Sequence, residues 1–251
     1  MRLAEDELQA VALCGSERFD LVLMVSIEVH PSAAAASAVL AREIAELVRA
    51  EPASVLGLPT GSTPVPLYAE LARLHREAGL SFARARSINL DEYLDLPPGD
   101  PRSFRAWMQE HFFARVDFAA PNTRFPSAGE RVAIDLQLLG IGRNGHIGFN
   151  EPGSTRESRA RVVELASQTR ADAAATFGGL AHVPTRALTL GVADILEARA
   201  IRVLAFGKSK AAIVQRALEG PLGTECPASF LRGHPDVRFL LDEPAAALLR
   251  R

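Results

Sequence analysis

Apolar and polar positions along this chain switch repeatedly between two spacings. From 32 to 49, Val39, Leu40, Ile44, Leu47 and Val48 fall on one helical face, and Ser32 is placed to cap the first turn. Short runs with apolar residues on both faces lie at 21–29, 55–58, 87–90, 135–139, 187–190, 201–206 and 237–241. Such runs read as buried strands of a mostly parallel sheet. Helical stretches at 64–76, 103–113, 192–198 and 209–218 separate several of them. Strand, helix and strand in this repetition predict an α/β sheet joined by right-handed crossovers. There is no internal repeat, heptad pattern or linker, so 24–251 is expected to be a single domain. The residues before it, 1–23, carry Glu5, Asp6 and Glu7 and read as a loosely held extension, with Met24 as an alternative start.

Composition narrows the class of function. With 28 Lys and Arg against 30 Asp and Glu, the net charge is −2, which gives no basic field for nucleic acid. The apolar run 21–29 is too short to span a membrane and is interrupted by Ser26 and Glu28. Mean hydropathy is +0.07, ordinary for a soluble protein. Cys14 and Cys226 make neither a disulfide framework nor a zinc signature, and a reducing cytoplasm is the expected compartment.

Chemistry concentrates in the turn at 140–153, where glycines, His146, Asn144, Asn150 and Glu151 follow a buried strand. A loop at the carboxyl end of a parallel strand is where open α/β sheets bind small molecules. The spacing Gly140-x-Gly142-x-x-Gly145 matches a dinucleotide fingerprint, but that fingerprint opens directly into a helix. Asn150-Glu151-Pro152-Gly153 breaks any helix here. His146 and Glu151 lack the HExxH zinc pattern. His146, flanked by glycines on such a loop, is a candidate for proton transfer; the alternative is a structural histidine.

Three further segments carry candidate chemistry. At 58–64, Thr63 reads as a helix N-cap and Pro64 as the first helical residue. Thr60, Gly61, Ser62 and Thr63 then form either a phosphate cradle or a plain strand-to-helix turn. Asn89-Leu90-Asp91-Glu92-Tyr93 supplies either a carboxylate base at the sheet edge or a solvated loop with capping acids. Gly207-Lys208-Ser209-Lys210 resembles the end of a Walker motif, but Arg202 stands where that motif needs glycine. Two lysines at a helix start oppose its dipole, at about 0.3–1 kcal/mol each, which suggests an anionic substrate. An ordinary exposed helix start is the alternative.

Together, LGLPTGSTP at 56–64, SINLDEYLDL at 87–96, LLGIGRNGHIGFNEPGS at 138–154, VPTRALTLGV at 183–192 and GKSKA at 207–211 resemble the glucosamine-6-phosphate deaminase/isomerase family. The resemblance runs from about Met24 to the C-terminus. It implies a doubly wound, Rossmann-like sheet with helices on both faces and a mobile lid, and no metal or organic cofactor. The implied reaction opens the pyranose of glucosamine 6-phosphate, shifts the C2 hydrogen to C1 and releases ammonia, leaving fructose 6-phosphate. In that scheme His146, held by Glu151 with Asn144, opens the ring, and Asp91 moves the carbon-bound proton. Thr60, Gly61, Ser62, Thr63 and Lys210 would anchor the phosphate. The implied partner is a small amino-sugar phosphate, with monomer and homo-oligomer both open.

The chain departs from the family pattern in places. Asn144 stands where many members carry aspartate. Ala175 stands where members place a phosphate-binding arginine, a loss on the order of 1.5–3 kcal/mol. Between 127 and 134 only a short connection replaces a helix of the family, so core surface there must be covered otherwise, by the N-terminal extension or a partner. Val163 replaces a lysine found in allosteric members, which argues against that regulation. Two other readings stand beside the deaminase: a lactonase of the 6-phosphogluconolactonase type, and a sugar-phosphate sensor without activity. Neither the Asn89–Tyr93 segment nor the Phe149–Pro152 segment suits the lactonase; Asp91, His146 and Glu151 all argue against the sensor.

Overall fold

The computed structural model describes residues 25–129 and 131–250. The expected extension at 1–23 and the start of the first expected strand lie outside the described residues. Strand β1 (Ser26–His30) is followed by helix α1 (Ala33–Ala50), whose first turn is capped by the Ser32 side chain accepting from the Ala35 N–H. Then come β2 (Val55–Leu58), α2 (Val65–Ala78), β3 (Arg86–Asn89), β4 (Asp91–Tyr93) and α3 (Phe104–His111), with Ser103 capping α3. The chain continues through β5 (Thr123–Arg124), β6 (Leu136–Gly140), β7 (Arg161–Glu164), α4 (Ser167–Ala173), β8 (Arg186–Thr189) and α5 (Val192–Leu196). It ends with β9 (Ala200–Ala205), α6 (Ala211–Glu219), β10 (Val237–Asp242) and α7 (Glu243–Ala246).

Seven strands form one parallel sheet in the order β1-β10-β9-β6-β2-β3-β5. Alternation along each strand sends apolar side chains to both faces, as buried parallel strands require. Leu136 and Leu138 of β6 pack with α1, α2 and α3, while Leu139 packs with α5, α6 and α7. Leu40, Ile44, Leu67, Tyr68 and Met108 fill the first layer; Ile195, Ile213, Val214 and Ala245 fill the second. This is the doubly wound arrangement expected from the sequence.

Two expectations need correction. Pro64, not Thr63, occupies the N-cap position of α2, in helical conformation and with no side-chain cap. Proline's fixed φ already suits a helix start, so no hydroxyl is needed to define it. Second, the segment at Asp91–Tyr93 is not a loop, and the strand expected near 187–190 does not join the main sheet. Both belong to a separate antiparallel sheet of order β4-β8-β7. The chain leaves the main sheet at Leu90, whose N–H still donates to Leu58 O and whose carbonyl accepts from Leu190 N–H. An aromatic cluster of Tyr93, Phe104, Phe149 and Phe177 packs this small sheet to α3 and the segment after α4. At the shortened connection near 127–134, Val55, Ile88 and Ile134 are buried within the described residues, in a cluster that includes Ala160 and Ile195.

Candidate active site at the carboxyl edge of the sheet

Four adjacent strands, β9, β6, β2 and β3, deliver the candidate segments to one edge. The β2 turn brings Thr60–Thr63, the β3–β4 junction brings Asp91, the β6 turn brings His146, and the segment after β9 brings Lys210. All line one hollow of about 370 Å³, within the range usual for small-molecule sites. Sheet order reverses direction around β6, and a crevice at such a switch point is where α/β sheets take ligands.

Tyr68, buried in α2, donates its hydroxyl to Pro59 O at 2.6 Å and so fixes the start of the β2 turn. Gly61 has φ +94°, a conformation side chains resist, and it lets the turn fold back on itself. Among the described residues, the N–H groups of Gly61, Ser62 and Thr63 have no protein acceptor. On the same hollow, Lys210 donates from Nζ to Ile141 O at 2.7 Å; burial lowers its pKa. Lys208 stays exposed and does not line the hollow.

The strand β4 separates its two acids by alternation. Asp91 points into the hollow and is 7% exposed. Glu92 points the other way and caps α3, its Oε1 accepting from Phe104 N–H and Oε2 from Arg105 N–H, each at 2.8 Å. The base and the capping acid weighed as alternatives in the sequence are therefore neighbours with one role each. Burial, and secondarily the charge of Glu92, push the Asp91 carboxyl up to about 8.

In the β6 turn, Asn144 donates from Nδ2 to Glu151 Oε2 at 2.7 Å and accepts from His146 N–H at 3.2 Å. Nδ1 of His146 lies 3.4 Å from the same Glu151 oxygen. Burial works to raise the Glu151 carboxyl, but contacts from His146, Thr169 and Asn144 outweigh it and hold the carboxyl down at about 2. A fixed carboxylate at Nδ1 selects the tautomer with its proton there, which leaves Nε2 as an acceptor. Among the described residues Nε2 has no protein partner. Asn150, fully buried, clamps the turn by donating to Ile147 O and Leu190 O and accepting from Arg161. Gly148 closes the turn against Asp91: a Cβ there would sit 3.5 Å from Asp91 Oδ2.

Helix α4 carries site residues that the sequence reading passed over. Thr169, 7% exposed, lies 3.5 Å from His146 Nδ1 and helps hold the Glu151 carboxyl down. Asp172 forms an ion pair with Arg143 on the rim of the hollow. The seven residues of α4 have no apolar stripe, so nothing in their pattern marked a helix facing the site. Ala175 is exposed and does not line the hollow, and Arg170 is engaged with Leu180 O and Val183 O. A second hollow of about 310 Å³ lies beside Ser154, Arg161 and Val163. No group of three His, Cys, Asp or Glu among the described residues is placed to hold a metal ion, and no described helix is long and apolar enough to cross a membrane.

Comparison with known proteins bears on this arrangement. Residues 122–239 match the family described as glucosamine-6-phosphate isomerases/6-phosphogluconolactonase. A solved monomeric glucosamine-6-phosphate deaminase superposes with a TM-score of 0.85 at 39% identity, covering 89% of this chain and 99% of that one. A 6-phosphogluconolactonase from Trypanosoma brucei gives a TM-score of 0.71 at 23% identity, covering 90% and 99%, a likeness of fold alone. A glucosamine-6-phosphate deaminase of Giardia intestinalis is 48% identical over 240 residues, 88% of this chain and 90% of its own length. Glucosamine-6-phosphate deaminase of Rhodopirellula baltica is 47% identical over 242 residues, 90% of this chain and 96% of that protein. At that identity over nearly the full length of both chains, the chain belongs to the glucosamine-6-phosphate deaminase/isomerase family.

Proposed function

We propose that the protein converts glucosamine 6-phosphate and water to fructose 6-phosphate and ammonia. The observation that carries the reading is the placement of a buried carboxyl, Asp91, and a carboxylate-held imidazole, His146, on one hollow beside Lys210 and the Thr60–Thr63 turn. The phosphate sits on the free N–H groups and hydroxyls of that turn, with Lys210 as a counter-charge. His146 accepts the O1 proton at Nε2 and returns it to O5, which breaks the C1–O5 bond and frees the aldehyde. Glu151 and Asn144 hold the ring in register for that transfer. Asp91 takes the C2 proton, the electron pair forms the C1=C2 double bond as the substrate ammonium passes a proton to O1, and the same carboxyl returns its proton to C1. The product carries an iminium at C2; water adds there and ammonia leaves. The substrate ammonium beside Asp91 favours its ionised form, offsetting part of the cost of burial.

The test is ammonia release from glucosamine 6-phosphate by the purified protein, with 6-phosphogluconolactone hydrolysis measured in parallel. Ammonia with no lactone hydrolysis supports the reading; lactone hydrolysis alone replaces it with the lactonase. Binding of the amino sugar with neither reaction makes the protein a sensor.

Thr169 is a positioning residue in this scheme. A hydrogen bond to a charged group is worth about 1.5–3 kcal/mol. Thr169→Ala is therefore expected to lower kcat about tenfold or more with KM little changed, and Thr169→Ser to restore it. Equal kcat for the alanine and serine variants would remove Thr169 from the mechanism.

A further inference from the structure

We propose that Arg143 is the guanidinium that grips the substrate phosphate, and that Asp172 holds it only until the phosphate arrives. This rests on the sugar-phosphate reading of the hollow given above. The hollow's cations among the described residues are Lys210, Arg102 and Arg143. Arg102 is fixed by Asp100, with Nε at 2.8 Å and Nη2 at 2.5 Å from its oxygens, and lies 5.3 Å over the Phe177 ring. Lys210 is one charge, already turned toward Ile141 O, and cannot by itself balance a dianion.

Arg143 is different. It stands in the glycine turn two residues beyond Ile141, its side chain is 53% exposed, and both Nε and Nη2 point at the Asp172 carboxylate. A planar fork aimed at two oxygens of one anion accepts a phosphate in the same geometry. Burial lowers the Lys210 pKa and the charge of Asp172 works against that lowering, so this carboxylate lies within electrostatic reach of both cations. A phosphate entering there meets a like charge unless Asp172 gives way. Exposed ion pairs are weak, and Gln168 Nε2 already donates to Asp172 Oδ1 at 2.9 Å. The carboxylate thus keeps a partner when Arg143 turns to the phosphate. Asp172 shares α4 with Thr169, so the exchange occurs on the helix that touches His146 and Glu151.

The experiment is steady-state ammonia release from glucosamine 6-phosphate, with inorganic phosphate as inhibitor, for wild type, Arg143→Gln and Asp172→Asn. Arg143→Gln is expected to raise KM and the phosphate inhibition constant together by about tenfold or more, with kcat changed less than about threefold. Asp172→Asn is expected to lower both constants, because the competing anion is gone. A folded Arg143→Gln protein with both constants unchanged overturns the proposal, as does an Asp172→Asn variant that weakens phosphate. Should wild type release no ammonia, the reading of the reaction fails, and direct calorimetric titration of the three proteins with glucosamine 6-phosphate still decides the role of Arg143.

Discussion

Replacing Asp91 by asparagine is expected to lower ammonia release at least about a hundredfold while making the protein more stable. Both effects come from one buried carboxyl. As the carbon acid's base, Asp91 must be ionised, yet burial and the neighbouring charge of Glu92 push its carboxyl up to about 8. In the free enzyme the rate kcat/KM should therefore fall as pH drops below about 8, and the limb should vanish from the residual activity of the variant. The stability effect has the opposite pH sense. An ordinary aspartate ionises near 3.8, so between 3.8 and about 8 the unfolded chain has released a proton that the folded chain retains. Wild type loses stability as pH rises through that window, and asparagine does not. The variant's advantage should be absent near pH 3, grow to about pH 8 and then level off. A melting-temperature gain of about 3 °C or more at pH 9 is expected for a chain of this size. A variant no more stable than wild type at pH 9 would show that Asp91 is not strained by its burial.

Gly142→Ala is expected to remove activity nearly as completely as His146→Gln, about a hundredfold or more, although it adds one methyl group. Gly142 is not among the glycines with positive φ, so its φ does not by itself exclude alanine. The obstacle is the imidazole: an ideal Cβ at Gly142 would overlap three atoms of the His146 ring, far inside van der Waals contact. The ring must swing away, and it then leaves the Glu151 oxygen that fixes its tautomer. Ring opening depends on Nε2 reaching the sugar within hydrogen-bond distance, so displacement is as costly as removal. Near-UV circular dichroism and the melting temperature should stay close to wild type, since the ring borders an open hollow. Full activity in Gly142→Ala would mean that His146 does not work from the position it holds here.

The contrast between Asp91 and Gly142 shows what was legible beforehand. His146, Glu151, Lys210 and the Thr60–Thr63 turn follow apolar runs and Asp91 comes directly after one, and parallel strands are the one element that must be apolar on both faces. Strand β2 was read at its observed bounds, and β6, β9 and β10 within a residue or so. The small sheet was not legible. Strands β4 and β7 are three and four residues long, and β7 alternates only between half-buried and exposed positions, so no apolar face announces them. Thr169 and Arg143–Asp172 were missed for a related reason. Their partners lie 23 and 29 residues away, and a threonine or an exposed ion pair has no local signature.

Sequence by itself determined the chemical inventory and the edge of the sheet on which it gathers, because strand direction in a parallel sheet puts every following loop on the same side. Only the tertiary structure decided which member of each pair acts. Successive residues of a strand face opposite ways, so pairing of Asp91 with Thr189 turned that carboxyl into the hollow and sent Glu92 to cap α3. Likewise a histidine beside a glycine becomes a tautomer-fixed base only where Glu151, Asn144 and Thr169 converge on it, a convergence set by packing between distant segments.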